Sequence, residues 1–184
     1  AEDFQLTREA MDDYAAQSQA RALAAIENGF LAQQIEPVEV KQKRQTITFE
    51  TDECPRADAT LEKLTSLRPA FREGGKVTAG NASTVNDAAG FVLVGDRDAL
   101  EAEGAKPRAK IVDWVCVGVP ARIMGHGPVP AIQKLLEKSG LGIGDIDYFE
   151  VNEAFAAVNV HVEQQLGVPR DIHNAYGGGI SLGH

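Results

Sequence analysis

"IDYFEVNEAFAAVNVHVEQQLG", residues 146–167, changes its hydrophobic rhythm in the middle. The first six residues form a short apolar run suited to a buried strand, and the rest reads as a helix closed by Gly167. The same succession recurs upstream. "AKIVDWVCVGV" (109–119) reads as a strand, and "GPVPAIQKLLEKSG" (127–140) as a helix that opens with Pro130 and carries Ile132, Leu135 and Leu136 on one face. "GFVLVGD" (90–96) suits another buried strand, followed by "DRDALEAEG" (96–104) as a capped helix ending at Gly104. Alternating strands and helices predict the α/β class.

The N-terminal part has a different character. Residues 7 to 27 place Met11, Tyr14, Ala15, Ser18, Ala22, Ala25 and Ile26 along one side at helical spacing, with Thr7 as cap and Gly29 as stop. Val38, Val40, Ile47 and Phe49 then alternate with polar residues, predicting a strand pair joined by a basic turn at Lys41 to Arg44. Residues 52 to 76, punctuated by Pro55, Pro69, Gly74 and Gly75, read as an irregular insert.

Composition excludes several classes. The 184 residues are 43% hydrophobic and carry a formal net charge of -9, which speaks against a basic nucleic-acid face. No stretch approaches the ~20 apolar residues of a membrane span. The first residues show no signal-peptide pattern. The two cysteines, Cys54 and Cys116, have no CxxC or Cys/His spacing, so no structural zinc is expected, and Cys116 reads as a small buried hydrophobe.

Three junctions carry residues with chemical potential. In "TAGNAST" (78–84), Ala79 and Gly80 let a ligand approach the backbone, while Asn81 and Ser83 supply hydrogen-bond donors; a plain polar turn explains the same residues. In "EVNEAFA" (150–156), Asn152 and Glu153 occupy a strand-to-helix turn, where an Asn cap needs no function. The third, "NAYGGGISLGH" (174–184), brings three glycines and then His184. It does not fit the GxGxxG dinucleotide pattern, and a lone histidine is more often structural than catalytic.

Taken together, "VTAGNAS", "MGHGPVPA", "VNEAFAA" and "GGGISLGH", with "PRADATLEKLTSLRPAF" (55–71), resemble the thiolases in order and spacing. The resemblance implies a five-layered αβαβα thiolase-like fold, only partly represented, with an α+β loop-domain insert. Residues 1–85 would be the loop domain, 86–107 the end of the first core domain and 108–184 the start of the second. It implies thiolytic cleavage or Claisen condensation of 3-ketoacyl-CoA and acetyl-CoA through an acyl-cysteine. Asn152 would hold a water of an oxyanion hole, and His184 would activate the nucleophile and bind a thioester oxygen. Donors preorganised at such a site contribute on the order of 3 to 4 kcal/mol each. Ser83 would contact the pantetheine arm, with Ala154 and Phe155 lining its tunnel. Arg56 would lie near the nucleotide end of coenzyme A, and Leu67, Phe71 and Ala79 would make apolar contacts.

No metal and no permanently bound cofactor are expected, only coenzyme A or acyl-CoA as substrate. A homodimer or homotetramer, without nucleic-acid or membrane partners, would work in the cytoplasm, or in mitochondria or peroxisomes of a eukaryote. Two departures from the family pattern matter. Neither Cys54 nor Cys116 matches the nucleophilic or the acid/base cysteine, so the chain alone is expected to be inactive, with open sheet edges and exposed apolar surface. "NAYGG" also stands where many members carry Asn-Val-Asn-Gly-Gly. A non-catalytic protein of the same fold that binds acyl-CoA or lipid is the alternative.

Overall fold

The computed structural model describes residues 1–184. Helix α1 (Arg8–Glu27) starts where the Thr7 hydroxyl accepts the Ala10 N–H, and it ends at Asn28 before the left-handed Gly29. The expected apolar stripe is buried, except that Ile26 is only half-buried, and two polar side chains join it. Asp12, fully buried, is held by Arg8 and by the Asn81 amide at 2.7 Å. Gln19 accepts the Arg56 backbone N–H at 2.8 Å.

Strands β1 (Val38–Gln42) and β2 (Gln45–Phe49) form the predicted antiparallel hairpin, turning at Lys43 and Arg44. Val38 pairs with Phe49 and Val40 with Ile47, so all four apolar side chains share one face, which stays exposed. The region expected to be irregular contains a short helix, α2 (Leu61–Thr65), capped by Thr60 and anchored by buried Leu64. Helix α3 (Arg97–Ala102), capped by Asp96, forms as expected but buries nothing.

Helices α4 (Pro128–Ser139) and α5 (Ala156–Leu166) also form, α4 starting one residue pair before Pro130. Left-handed Gly140 and Gly167 close them. Helix α5 is the middle of the molecule. Its Ala156 and Val160 pack with Leu6, Met11, Tyr14 and Ile180, while Val158 and Val162 pack with Val129, Phe149 and Val151. Two residues advance a helix by about 200°, so these pairs necessarily face opposite ways. Between these faces the helix also buries two polar side chains, Asn159 and His161.

The three buried strands expected at 90–96, 109–119 and 146–151 are not formed; the hairpin is the one sheet present. Phe91, Leu93, Ile111 and Trp114 are exposed, and so is Cys116, which corrects its reading as a buried hydrophobe. The reason is pairing. A strand inside a sheet needs neighbours for its N–H and C=O groups, and no strand of this chain pairs with the first two runs. Around Phe149 one such neighbour exists. Its N–H donates to Ile172 O at 2.8 Å and its carbonyl accepts the Asn174 N–H at 2.9 Å, making a single parallel bridge.

The loop after α5 is pinned to both helices. Arg170 bonds Glu163 of α5 and Asp13 of α1, and Arg21 of α1 donates to the carbonyls of Arg170 and His173. Burial alone would raise the Glu163 carboxyl, but His173 and Arg170 outweigh it and hold the group below its ordinary range. A carboxyl depressed in the folded state adds stability that is present above its unfolded value of about 4.3 and is lost as pH falls below that. The urea midpoint of the chain should therefore drop between pH 5 and pH 3. The drop should be shallower in Glu163→Gln, and equal slopes in the two proteins would refute the assignment.

Candidate functional site

The three junctions converge around the first turn of α5. The 78–84 segment runs against it backbone to backbone: the Ser83 N–H donates to Ala154 O at 3.0 Å, the Ala156 N–H donates to Asn81 O at 2.9 Å, and Ala82 bridges Phe155. Asn81 does not face a ligand. Its side chain is buried, accepting the Thr78 N–H and donating to Asp12 and Lys76 O, which corrects its reading as a free donor.

Below the turn lies the buried carboxylate of Glu153, fully enclosed. Its Oε1 accepts from Tyr14 Oη (2.9 Å) and Asn174 Nδ2 (3.2 Å), and its Oε2 from Ser18 Oγ (2.6 Å) and the Ile180 N–H (3.2 Å). Every partner is a donor. Since the Ser18 proton goes to the carboxylate, Ser181 Oγ, 2.8 Å from Ser18 Oγ, must donate to it. Burial, then the charge of Glu153, pushes the Tyr14 phenol far above its ordinary range, so it serves as a donor throughout the physiological range.

This cluster explains the three glycines. A Cβ on Gly178 would lie 2.6 Å from Glu153 Cδ, and Gly177, at φ +87°, would place one 2.7 Å from Ala22 Cβ. The loop can approach only as glycine, and its approach delivers His184. Asn152 Nδ2 lies 2.8 Å from His184 Nε2, with both residues exposed. An amide N–H in that position needs an unprotonated imidazole nitrogen at Nε2, so the His184 proton sits on Nδ1. The pair offers one polarising donor and one proton carrier beside open space.

The other predicted residues divide. Phe71 meets Phe155 edge to face, with centroids 6.3 Å apart, and both line a cleft of about 410 Å³ with Met124 and His126. Leu67 packs over Gly80, next to Ala79: a Cβ on Gly80 would be 2.7 Å from Leu67 Cδ1. Arg56 joins neither group. Its side chain is exposed, and only its backbone is held, by Gln19. Cys54 Sγ, half-buried, accepts from Asn86 Nδ2 at 2.8 Å. No three His, Cys, Asp or Glu side chains gather as metal ligands, and no helix is long and apolar enough to cross a membrane.

Sequence reasoning placed Glu153 at the junction and Tyr14 and Ser18 on the α1 stripe, but assigned none of them, nor Asn174, a role in the site. A signal existed: Tyr14 and Ser18 lie four apart on the apolar stripe of α1, where a hydroxyl needs a buried partner.

Two family models match, "Thiolase, N-terminal domain" over residues 1–98 and "Thiolase, C-terminal domain" over 105–184. The chain is 46% identical over 184 residues to an acetyl-CoA acetyltransferase of Escherichia coli (strain K12), covering 100% of this chain and 47% of that one. It is 44% identical to the mitochondrial 3-ketoacyl-CoA thiolase of Bos taurus, covering 98% and 45%. Among solved structures, Bacillus anthracis acetyl-CoA acetyltransferase superposes with a TM-score of 0.96 at 45% identity, covering 100% of this chain and 46% of that one. Human mitochondrial 3-ketoacyl-CoA thiolase in complex with CoA gives 0.91 at 44%, covering 98% and 44%. The chain thus spans about half the length of the curated relatives it matches, and its fold is a partly represented thiolase fold.

The clamp predicts a sharp asymmetry between neighbours. Glu153→Gln turns one acceptor into an NH₂ facing donors and should cost about 1 to 3 kcal/mol, whereas exposed Asn152→Ala should stay within about 0.5. Urea unfolding of both variants measures this, and equal midpoints would refute the clamp.

Proposed function

The chain belongs to the thiolase family, and from that premise we propose that the whole protein is an acyltransferase that cleaves or forms 3-ketoacyl-CoA through an acyl-cysteine. The carrying observation is the Asn152–His184 pair, held over the Glu153 clamp. A thioester carbonyl gains negative charge as it is attacked, and a fixed N–H donor beside it stabilises that charge. Asn152, through a water, is such a donor. His184 takes the proton of the attacking thiol, for which its unprotonated Nε2 is suited once the bond to Asn152 yields.

Neither thiol of this chain serves as nucleophile: Cys54 is engaged by Asn86, and Cys116 lies in an exposed stretch remote in sequence from the pair. The nucleophilic and acid/base cysteines belong to the rest of the whole protein. Ser83, Ala154, Phe155, Phe71, Leu67 and Ala79 form the pantetheine contacts, supported by the zipped backbone of Ser83 and Ala154 and by the Phe71–Phe155 stack. Arg56 serves the nucleotide end, consistent with its exposed side chain. Residues 1–85 act as the loop domain, 86–107 close the first core domain and 108–184 open the second. Coenzyme A is a substrate and not a resident cofactor. The whole protein works as a homodimer or homotetramer in the cytoplasm or an organelle matrix.

In the whole protein, Asn152→Ala should lower kcat by about 10² to 10³ with little change in KM, because an oxyanion donor acts mainly in the transition state. Ser83→Ala should instead raise KM. Equal effects on both constants in both variants would reject these roles. His184→Ala should reduce turnover by about 10² to 10⁴ and slow alkylation of the nucleophile by iodoacetamide. Rates within twofold of the parent would reject it as the base.

A further inference from the structure

The Glu153 clamp holds the glycine tract as far as the Ile180 N–H. The next two residues turn back on the tract, the Ser181 and Leu182 N–H groups donating to Gly178 O at 3.0 and 2.8 Å. Gly183 and His184 lie beyond these holds. Gly183 stands at φ +107°, a conformation that residues with side chains rarely adopt, and a Cβ there would lie 2.8 Å from both Cγ and Oδ1 of Asn86. The Asn86 side chain therefore packs directly against the Gly183 backbone, one residue before the imidazole.

Asn86 is itself held at both polar ends. Its Oδ1 accepts from the Thr84 hydroxyl, and its Nδ2 donates to Cys54 Sγ at 2.8 Å. The segment that carries Thr84 and Asn86 is also zipped to the first turn of α5, where the Ser83 N–H donates to Ala154 O, two residues past Asn152. Four residues, 83–86, thus touch both the turn that presents Asn152 and the backbone that presents His184. The two partners of the 2.8 Å contact are referred to one piece of chain.

We propose that Asn86 is the positioning residue of His184: its amide, held by Thr84 and Cys54, is a backstop that fixes the direction in which Gly183 hands on the chain. This rests on the reading of His184 as the base and adds to it the group that aims it. Glycine has the widest backbone freedom of any residue, so a base attached through one needs an external limit. Misplacing a reacting group by about 1 Å can cost about 10²-fold in rate, so a contact one residue away is enough to matter. Cys54 gains a task that requires no thiolate, as the acceptor that ties one end of the amide.

The test is a double-mutant cycle in the whole protein, read by kcat and by alkylation of the nucleophilic cysteine with iodoacetamide, followed by peptide mass. Asn86→Ala should slow both by about 10- to 100-fold with KM within about twofold, because substrate contacts are untouched. Added to His184→Ala it should cost less than about twofold more, since a residue acting through the base has nothing left to aim. Asn86→Asp, which keeps the outline and the acceptor for Thr84, should recover most of the loss. If the alanine variant does not fold, Thr84→Val removes one hold at equal volume and should cost about three- to tenfold, again only when His184 is present. Rates within twofold of the parent in the Asn86→Ala or Thr84→Val variant, losses that multiply with that of His184→Ala, or an aspartate variant no faster than the alanine one overturn the inference and leave His184 as the base. Parental rates in His184→Ala alone overturn both.

Discussion

A buried carboxylate with four donors around it organises this molecule. Glu153 draws in Tyr14 and Ser18 from α1, Asn174 from the loop after α5 and the backbone of Ile180 from the glycine tract. Desolvating a carboxylate costs several kcal/mol unless its oxygens are met, and here all the contacts are donors of matching sense. The arrangement tolerates no partial version. Removing any partner leaves an oxygen short, and the glycine loop would lose the surface that it is shaped to fit. The exposed residues Asn152 and His184 owe their 2.8 Å separation to this buried neighbour.

The longer helices and the hairpin were legible in the sequence, while the three further strands it suggested did not form, for a physical reason. A helix satisfies its backbone within itself, so Thr7 as cap, the stripe from Met11 to Ala25 and Gly29 as stop suffice to mark α1. The hairpin was legible on the same ground, because β1 and β2 are each other's neighbours along the chain. The runs at 90–96 and 109–119 have the composition of buried strands, but a strand is a statement about a neighbour, and their neighbours are not in this chain. Their exposed Phe91, Val92, Ile111 and Trp114 show how far hydrophobicity alone is from a sheet. At the site, the family resemblance gave Asn152 and His184 their roles, whereas Glu153 was named at the same turn without its role as the clamp. Its role depends on residues more than a hundred positions away, and one sequence does not reveal such pairings.

Helix α5 links the site to both cores. Its faces share the packing load between the cluster around Met11 and Tyr14 and the cluster around Phe149 and Val162. Its N-terminal turn carries Ala154 and Phe155, while His161 further along closes the cleft. The turn that presents Asn152 is therefore fixed by two independent apolar contacts, which supplies the rigidity that the proposed oxyanion role needs.

The four histidines show how a partner, and not the residue type, sets the role. His173 is buried and hydrogen-bonds with Glu163 Oε1 at 3.1 Å, so a carboxylate holds its proton on Nδ1 and the ring braces the loop. His161 has a second imidazole as its partner and, being enclosed, stays uncharged and orients that neighbour. His126, the partner of that ring, lines the cleft. His184 alone pairs with an amide nitrogen, which can only donate, so its basic Nε2 faces Asn152. Of the four, it alone pairs an exposed imidazole with an exposed partner, the setting that the proposed role as proton carrier asks for.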